Sequence, residues 1–369
     1  MSDATMAQPN DLPGLDTATL RNALGDLHRV RPWIYWLDFS LSVLIGWSAF
    51  ALAVKLPLFS VWMMLAALVA VAALYRAVTF IHELSHHRHQ LKGFEWYWNL
   101  LIGFELFLPS FTHAEPHANH HRISSFGTEN DPEYLPFAHS PKMILLYGLQ
   151  AILTPPALAA RFLLLAPSSI FSRKWERWLI RHASSMTFNP RYQREVNDRV
   201  LHEARLDSVL ILMLWGTVAA LVYTHVLPPR IFLVWWMIVT TVNFTNTMRT
   251  LAAHAYDHDG VALTRNDQWA DSIDAEWTIW SELWAPVGLT YHAVHHFLPG
   301  IPYHNLPQAH RRLSELAPLA AANHERTRPG IFYTLRELIA RARSNRAVSG
   351  YRSSAGQSGA GESGVAGGD

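Results

Sequence analysis

Apolar residues in this chain gather into long, nearly unbroken blocks. The first runs from about Trp33 to Val54 and the second from about Leu58 to Phe80, with only the turn Lys55-Leu56-Pro57 between them. A later pair, about Ser208 to Leu227 and Ile231 to Ala253, is joined by Pro228-Pro229-Arg230. Each block has the length at which an α-helix crosses roughly 30 Å of hydrocarbon. The connecting turns are too short to hold a domain, so each pair must fold back as a hairpin. The pattern predicts an all-α integral membrane protein with four transmembrane helices in two hairpins.

The segments between the blocks refine this plan. Phe94 to Leu108 is apolar but short, carries Glu95 and Glu105 and stops at Pro109, which suits a re-entrant or buried helix better than a crossing. Met143 to Ala166 is apolar but interrupted by Pro155-Pro156 and Arg161, with Pro167 just beyond; it reads as interfacial helices, with a dipping hairpin as the alternative. Arg173 to Arg205 is strongly basic and is expected on the cytoplasmic side. Trp33, Tyr35 and Trp36 fall where an aromatic belt would lie, and Asp38 is expected near the same interface, with a buried polar contact as the alternative. Residues 1–30 contain several charges and no signal-type apolar core, so they are expected to be a retained cytosolic segment. Residues 31–345 then form one membrane domain with a cytosolic, histidine-rich helical cap. The Gly-, Ser- and Ala-rich stretch 346–369 is expected to be a disordered tail. Both termini fall on the cytoplasmic side of what is expected to be a bacterial inner membrane.

Composition agrees with a bilayer. Half the residues are hydrophobic and only 16% are charged, against about a quarter in soluble domains. A net charge of +1 without a dominant basic stripe argues against a nucleic-acid partner. Cysteine is absent, which excludes disulfides, thiolate nucleophiles and iron–sulfur clusters within the chain.

The chemistry lies in the histidines. His82-Glu83-Leu84-Ser85-His86 ends the second apolar block. His117-Ala118-Asn119-His120-His121 follows the short apolar segment, and His292-Ala293-Val294-His295-His296 repeats its H-x-x-H-H spacing. With 21 histidines in 369 residues, one such pattern arises by chance only roughly 0.07 times per chain. His254 follows the last apolar block. The hairpins put all of these on one side of the membrane, and residues three or four apart on a helix share a face. The nine imidazoles His82, His86, His117, His120, His121, His254, His292, His295 and His296 exceed the four to six ligands one metal takes, so the count favours two metals. Nitrogen-rich ligation of two irons would suit O₂ activation. Glu83, Glu115, Asp131 and Asp257 are candidates to orient the imidazoles.

The three histidine boxes, together with the stretch from Tyr291 through His296 to Pro307, resemble the membrane fatty acid desaturase family over most of the chain, to about Leu335. The resemblance implies four transmembrane helices and a cytosolic cap holding a non-haem di-iron centre. It also implies O₂ as oxidant, a fatty acid or lipid substrate and an electron donor. A further histidine after the last span usually joins such a site; His254 fits, with His258 as a competitor. No His-Pro-Gly-Gly segment of a fused cytochrome b5 is present, so a separate ferredoxin, rubredoxin or cytochrome b5 type donor with a reductase is expected.

Desaturation of an alkyl chain is the leading expectation, with a hydroxylase or ketolase on the same scaffold as its competitor. His82-Glu83-Leu84-Ser85-His86 also matches the H-E-x-x-H zinc protease pattern, but that reading leaves both H-x-x-H-H clusters unused. A transporter is disfavoured because the apolar blocks between Val43 and Phe80 hold only Lys55 and Arg76 as charges. Trp277, Trp280 and Trp284 are expected to be interfacial anchors, with the wall of a substrate tunnel as the alternative.

Overall fold

The computed structural model describes residues 17–258 and 264–358 and is mostly helical, with almost no strand. A short α1 (Thr17–Leu24) precedes two long helices, α2 (Pro32–Lys55) and α3 (Val61–His87), which pack as the first hairpin. Pro32 opens α2, and the extended residue Leu56, held there by Pro57, ends it. The Ser60 hydroxyl then caps α3 by accepting from the Met63 amide at 3.2 Å. Gly46 marks the tightest approach of the two helices, since a Cβ there would lie 2.7 Å from the Leu74 side chain. The second hairpin is α9 (Asp198–Tyr223) and α10 (Arg230–Leu251). Arg230 at its turn donates to the carbonyls of Leu56 and Lys55, tying the two hairpin turns together at 3.3 and 3.2 Å.

Two helices differ from the hydropathy blocks. No Gly or Pro lies between Ser60 and Gly93, so α3 continues seven residues past Phe80 and carries the first histidine box as its last turns. Asn197 caps α9 by accepting from Val200, so that helix starts ten residues before the apolar block expected from Ser208. Hydropathy marks the contact with lipid, whereas caps and breakers mark the helix.

Between the hairpins, α4 (Phe94–Trp98) passes into a π-helical turn at Asn99–Gly103 and then into non-helical chain as far as Pro109. Non-helical backbone at membrane depth needs donors from its surroundings. Three indoles supply them: Trp47 of α2 to the Leu101 carbonyl (2.8 Å), Trp215 of α9 to Phe104 (3.1 Å) and Trp235 of α10 to Glu105 (3.0 Å). The segment is thus a buried plug held by three long helices. It delivers α5 (Phe111–His120), with the second box, beside the end of α3.

Helix α6 (Pro141–Ala160) runs through a π turn into α7 (Ala166–Ser168), followed by the amphipathic α8 (Arg173–Ala183). Together with α2, α3, α9 and α10, the stretch Pro141–Phe171 makes five helices long and apolar enough to cross a membrane, by length and composition. Gly148 and Ala151 of α6 lie against Met248 and Asn243 of α10, while Arg161 binds Ala183 and Ser184 and Leu158 packs with the first turns of α9.

The remaining helices are α11 (Arg265–Asp271), α12 (His292–Phe297), α13 (Leu306–Glu315), α14 (Ala317–Arg326) and α15 (Ile331–Ser358), with β1 (Asp274–Ala275) pairing in parallel with β2 (Thr327–Arg328). They lie over the histidine-bearing end of the first hairpin. Asn305 donates to the Leu27 carbonyl, and Arg312 binds Asp26 and the Ala23 carbonyl, so part of the N-terminal segment is tied to α13. Helix α15 extends to Ser358, into the stretch expected to be irregular; residues 359–369 and 1–16 lie outside the described residues.

Asp38 is not a free interfacial residue. Its two oxygens take a bidentate pair of bonds from Arg76 at 2.7 and 2.6 Å and a third from the Tyr303 hydroxyl at 2.8 Å. A guanidinium on α3 facing the hairpin seam needs an anion there, because an unpaired charge out of water costs several kcal/mol. Replacing Trp47 or Trp235 with Phe keeps the ring but strands a buried carbonyl. Each change is expected to destabilise the protein by about 1–3 kcal/mol, read as a lower thermal midpoint in detergent.

Candidate metal centre

Histidines from four places meet at one end of the helical bundle. His82 and His86 come from the last turns of α3, His117, His120 and His121 from the end of α5, His254 from the chain after α10, and His292, His295 and His296 from α12. They divide into two sets, His82, His86, His117, His121 and His295 in one and His120, His254, His292 and His296 in the other. Within each set one ring nitrogen per residue lies within 4.8 Å of all the others.

Helical geometry explains the division. Positions four apart differ by about 40° around a helix, whereas the third position points about 80° away from their mean direction. In the second box His117 and His121 therefore join one set while His120 joins the other. In the third box His292 and His296 go together and His295 goes across. Each H-x-x-H-H box thus serves both sets, and each H-x-x-x-H pair serves one.

Several nitrogens face one another with no hydrogen-bond logic. Nε2 of His117 lies 3.0 Å from that of His86 and 3.1 Å from that of His121, which is 3.1 Å from that of His295. In the other set Nε2 of His254 lies 2.9 Å from that of His292 and 3.3 Å from that of His120. Nitrogens bound about 2.1 Å from a shared cation sit roughly 3.0–3.4 Å apart, so the spacing fits a donor set built around metal. Both ring nitrogens of His82 and of His296 are buried with no hydrogen-bond partner, a desolvation cost that a metal ligand bond would offset. Seven of the nine side chains are buried; His86 and His121 are half-buried.

Burial, reinforced by mutual repulsion, pushes His121, His292, His295 and His296 well below the usual imidazole range. They are neutral at pH 7, the form that binds metal. Carboxylates fix the orientation of others. His120 Nδ1 lies 2.9 Å from Asp131, His117 Nδ1 3.2 Å from Glu133 and His254 Nδ1 3.3 Å from Asp271. Burial opposes protonation of His120, but Asp131 outweighs it and the net shift is upward. Burial would likewise raise the Glu133 carboxyl, yet His117 beside it holds it well below the carboxylate range. Asp131 also accepts from the amides of Gly127 and Glu133, and Asp274 accepts from the Ala293 and Val294 amides at the start of α12. His254 is further pinned by a β-bridge to Ser272.

Of the four acidic residues singled out in the sequence, Asp131 alone bonds an imidazole of either set. Glu115 pairs with Arg194, and Asp257 with the exposed His139. Glu83 lies beside His82 at 3.8 Å, but its carboxylate binds the Tyr35 hydroxyl and the Tyr303 amide and is 1% exposed, so it is not free to act as the base of an H-E-x-x-H protease. His258 lies 4.0 Å from Asp271, outside both sets, and His254 lies within one. Sequence reading passed over Glu133, Asp271, Asp274 and His113, which stacks on His117 and faces Glu133 at 3.7 Å. His113 sits one helical turn before His117, a spacing that could have revealed it; nothing local marks the carboxylates. Trp277 and Trp280 are 53% and 72% exposed and Trp284 is half-buried, and Trp277 also lines a cavity.

Comparison with known proteins agrees with this geometry. The family model described as Fatty acid desaturase matches residues 59–327, which include all nine histidines. A ceramide hydroxylase of Caulobacter vibrioides (strain NA1000 / CB15N) is 36% identical over 339 residues, covering 90% of this chain and 96% of that protein. Nine converging imidazoles on apolar helices, within a match of this extent, place the chain in the fatty acid desaturase family, whose members are membrane oxidoreductases of desaturase or hydroxylase type.

Proposed function

We propose that the nine imidazoles hold two iron ions, five ligands on one side and four on the other, and that the protein hydroxylates the alkyl portion of a ceramide-type lipid with O₂. The observation that carries the metal assignment is the division of the boxes into two convergent nitrogen sets. The substrate and outcome follow from the hydroxylase relative, which aligns along nearly its whole length. Desaturation is the second reading, favoured by the description of the family model.

Bound iron would supply the O₂ activation that no side chain here provides. The chain's own groups set the conditions. Asp131, Glu133 and Asp271 orient His120, His117 and His254 through their Nδ1 atoms, leaving Nε2 directed at the centre. The buried faces of α3, α5 and α12 exclude bulk water, and half-buried His86 and His121 mark the side from which a small molecule can arrive. Hydroxylation consumes one C–H bond, O₂, two electrons and two protons and yields an alcohol and one water. Desaturation consumes two C–H bonds on adjacent carbons with the same O₂, electrons and protons, and yields an alkene and two waters. Both need an external donor, of ferredoxin, rubredoxin or cytochrome b5 type.

Four helices are proposed to cross the bilayer of a bacterial inner membrane, with the histidines cytoplasmic. Gly148 and Ala151, in the middle of α6, lie along Met248 and Asn243 of α10, and Arg161 beyond it binds Ala183 and Ser184, which supports a dip of α6 into the bilayer and back to the histidine end. The basic α8 supports the cytoplasmic side.

Lipids from cells expressing the chain are expected to gain sixteen mass units; a loss of two would assign desaturation, and no change would remove the oxidase reading. His254→Ala is expected to lower iron from two to about one per chain by elemental analysis. Asp131→Asn and Glu133→Gln are expected to weaken iron binding about 10–100-fold, measured by competition with a chelator.

A further inference from the structure

A cavity of about 160 Å³ lies between the first hairpin and the chain that leads into α12. Its walls include Arg76, Glu282, Thr290, Tyr291 and Tyr303. Thr290 and Tyr291 immediately precede His292, so whatever occupies the cavity is held next to the metal-binding imidazoles. Thr290 is 1% exposed, and its hydroxyl has no hydrogen-bond partner among the described residues. A buried hydroxyl left unpaired in this way is costly unless a ligand or water completes it.

The loop around the cavity is held under constraint. Val287 adopts φ +54°, a conformation that β-branched residues rarely hold. Gly288 follows at φ +73°, where a Cβ would lie 3.0 Å from that of Tyr303. The Tyr75 hydroxyl docks the loop on α3 by donating to the Trp284 carbonyl at 3.0 Å. Trp277 of the lining is 53% exposed, and Ile279 and Trp280, which follow it in the chain, are 68% and 72% exposed, apolar and aromatic groups suited to the depth of lipid head groups.

Charge decides what the cavity admits. Arg76 is the one cation among the charged groups lining it, and Asp38 and Glu282 already occupy it, with Arg76 donating to Glu282 at 2.7 Å. Trp277 donates to the other Glu282 oxygen at 2.9 Å. Glu282 lines the cavity beside Arg76, Asp38 holds Arg76 from behind, and burial opposes protonation of His304, the other basic side chain of the lining, so among the described lining residues no unpaired cation meets a phosphate or a free carboxylate.

We propose that this cavity is the head-group subsite, that it takes the uncharged hydroxyl- and amide-bearing head of a ceramide, and that it rejects the phosphorylated counterpart. The inference rests on the lipid-oxidase reading above and names what that site selects. Its test uses the full chain in nanodiscs, with a ceramide carrying a photoreactive diazirine near the head group. Labelling is expected within residues 277–291, with unlabelled ceramide competing at least tenfold better than ceramide 1-phosphate. Thr290→Val, nearly isosteric, is expected to weaken labelling and raise KM about tenfold while changing kcat less. Glu282→Gln is expected to narrow the preference against the phosphate.

Labelling elsewhere, equal competition by the phosphate, or an unchanged KM in Thr290→Val would overturn the subsite. Labelling here without oxidation of ceramide would keep the subsite and remove the oxidase reading, whereas oxidation with the label elsewhere would do the reverse.

Discussion

Nine imidazole nitrogens brought together out of water constrain this structure more than any other feature. Each buried ring loses its hydration, and several face one another near 3 Å with no proton arrangement that pairs them all. Hydrophobic packing can assemble such a cluster only at a cost, and a shared cation is the partner that offsets it. The surrounding framework has the form of support for that assembly. α3 and the end of α5 bring five rings, four of them to one set and His120 to the other, α12 brings three more, and a β-bridge fixes His254 where α10 ends.

The rest of the polar interior sorts by distance from those rings. Asp131, Glu133 and Asp271 lie against the far nitrogens of three of the converging histidines, and Asp274 holds the start of α12. A turn further out, Glu83 joins Tyr35 of α2 to the Tyr303 amide, and Asp38 joins α2 to Arg76 and the Tyr303 hydroxyl. Tyr303 therefore links the C-terminal region to both helices of the first hairpin. Relative motion of these parts would disturb the histidine geometry, so buried ionic contacts that add little net stability still fix one arrangement.

The membrane portion follows the same economy of satisfied polar groups. The plug between Trp98 and Pro109 interrupts regular helix among apolar helices, and three indoles from α2, α9 and α10 take up its carbonyls. That interruption returns the chain to the histidine end, which is how two boxes only 31 positions apart, counted from His86 to His117, come to face each other.

Local sequence was sufficient for whatever depends on local periodicity. Block length marked the long helices, and H-x-x-H-H spacing marked the rings that share a helix face, since both are properties of the α-helix itself. The three boxes and His254 were legible on that basis. Tertiary structure alone decided which ring joins which set, that Asp131, Glu133 and Asp271 support the imidazoles while Glu115 and Asp257 do not, and that Asp38 is an ion-pair partner. Those are contacts between segments separated by tens to hundreds of residues. A carboxylate reads the same in a sequence whether it ends at an imidazole, at an arginine or in water; only the packing of helices decides which.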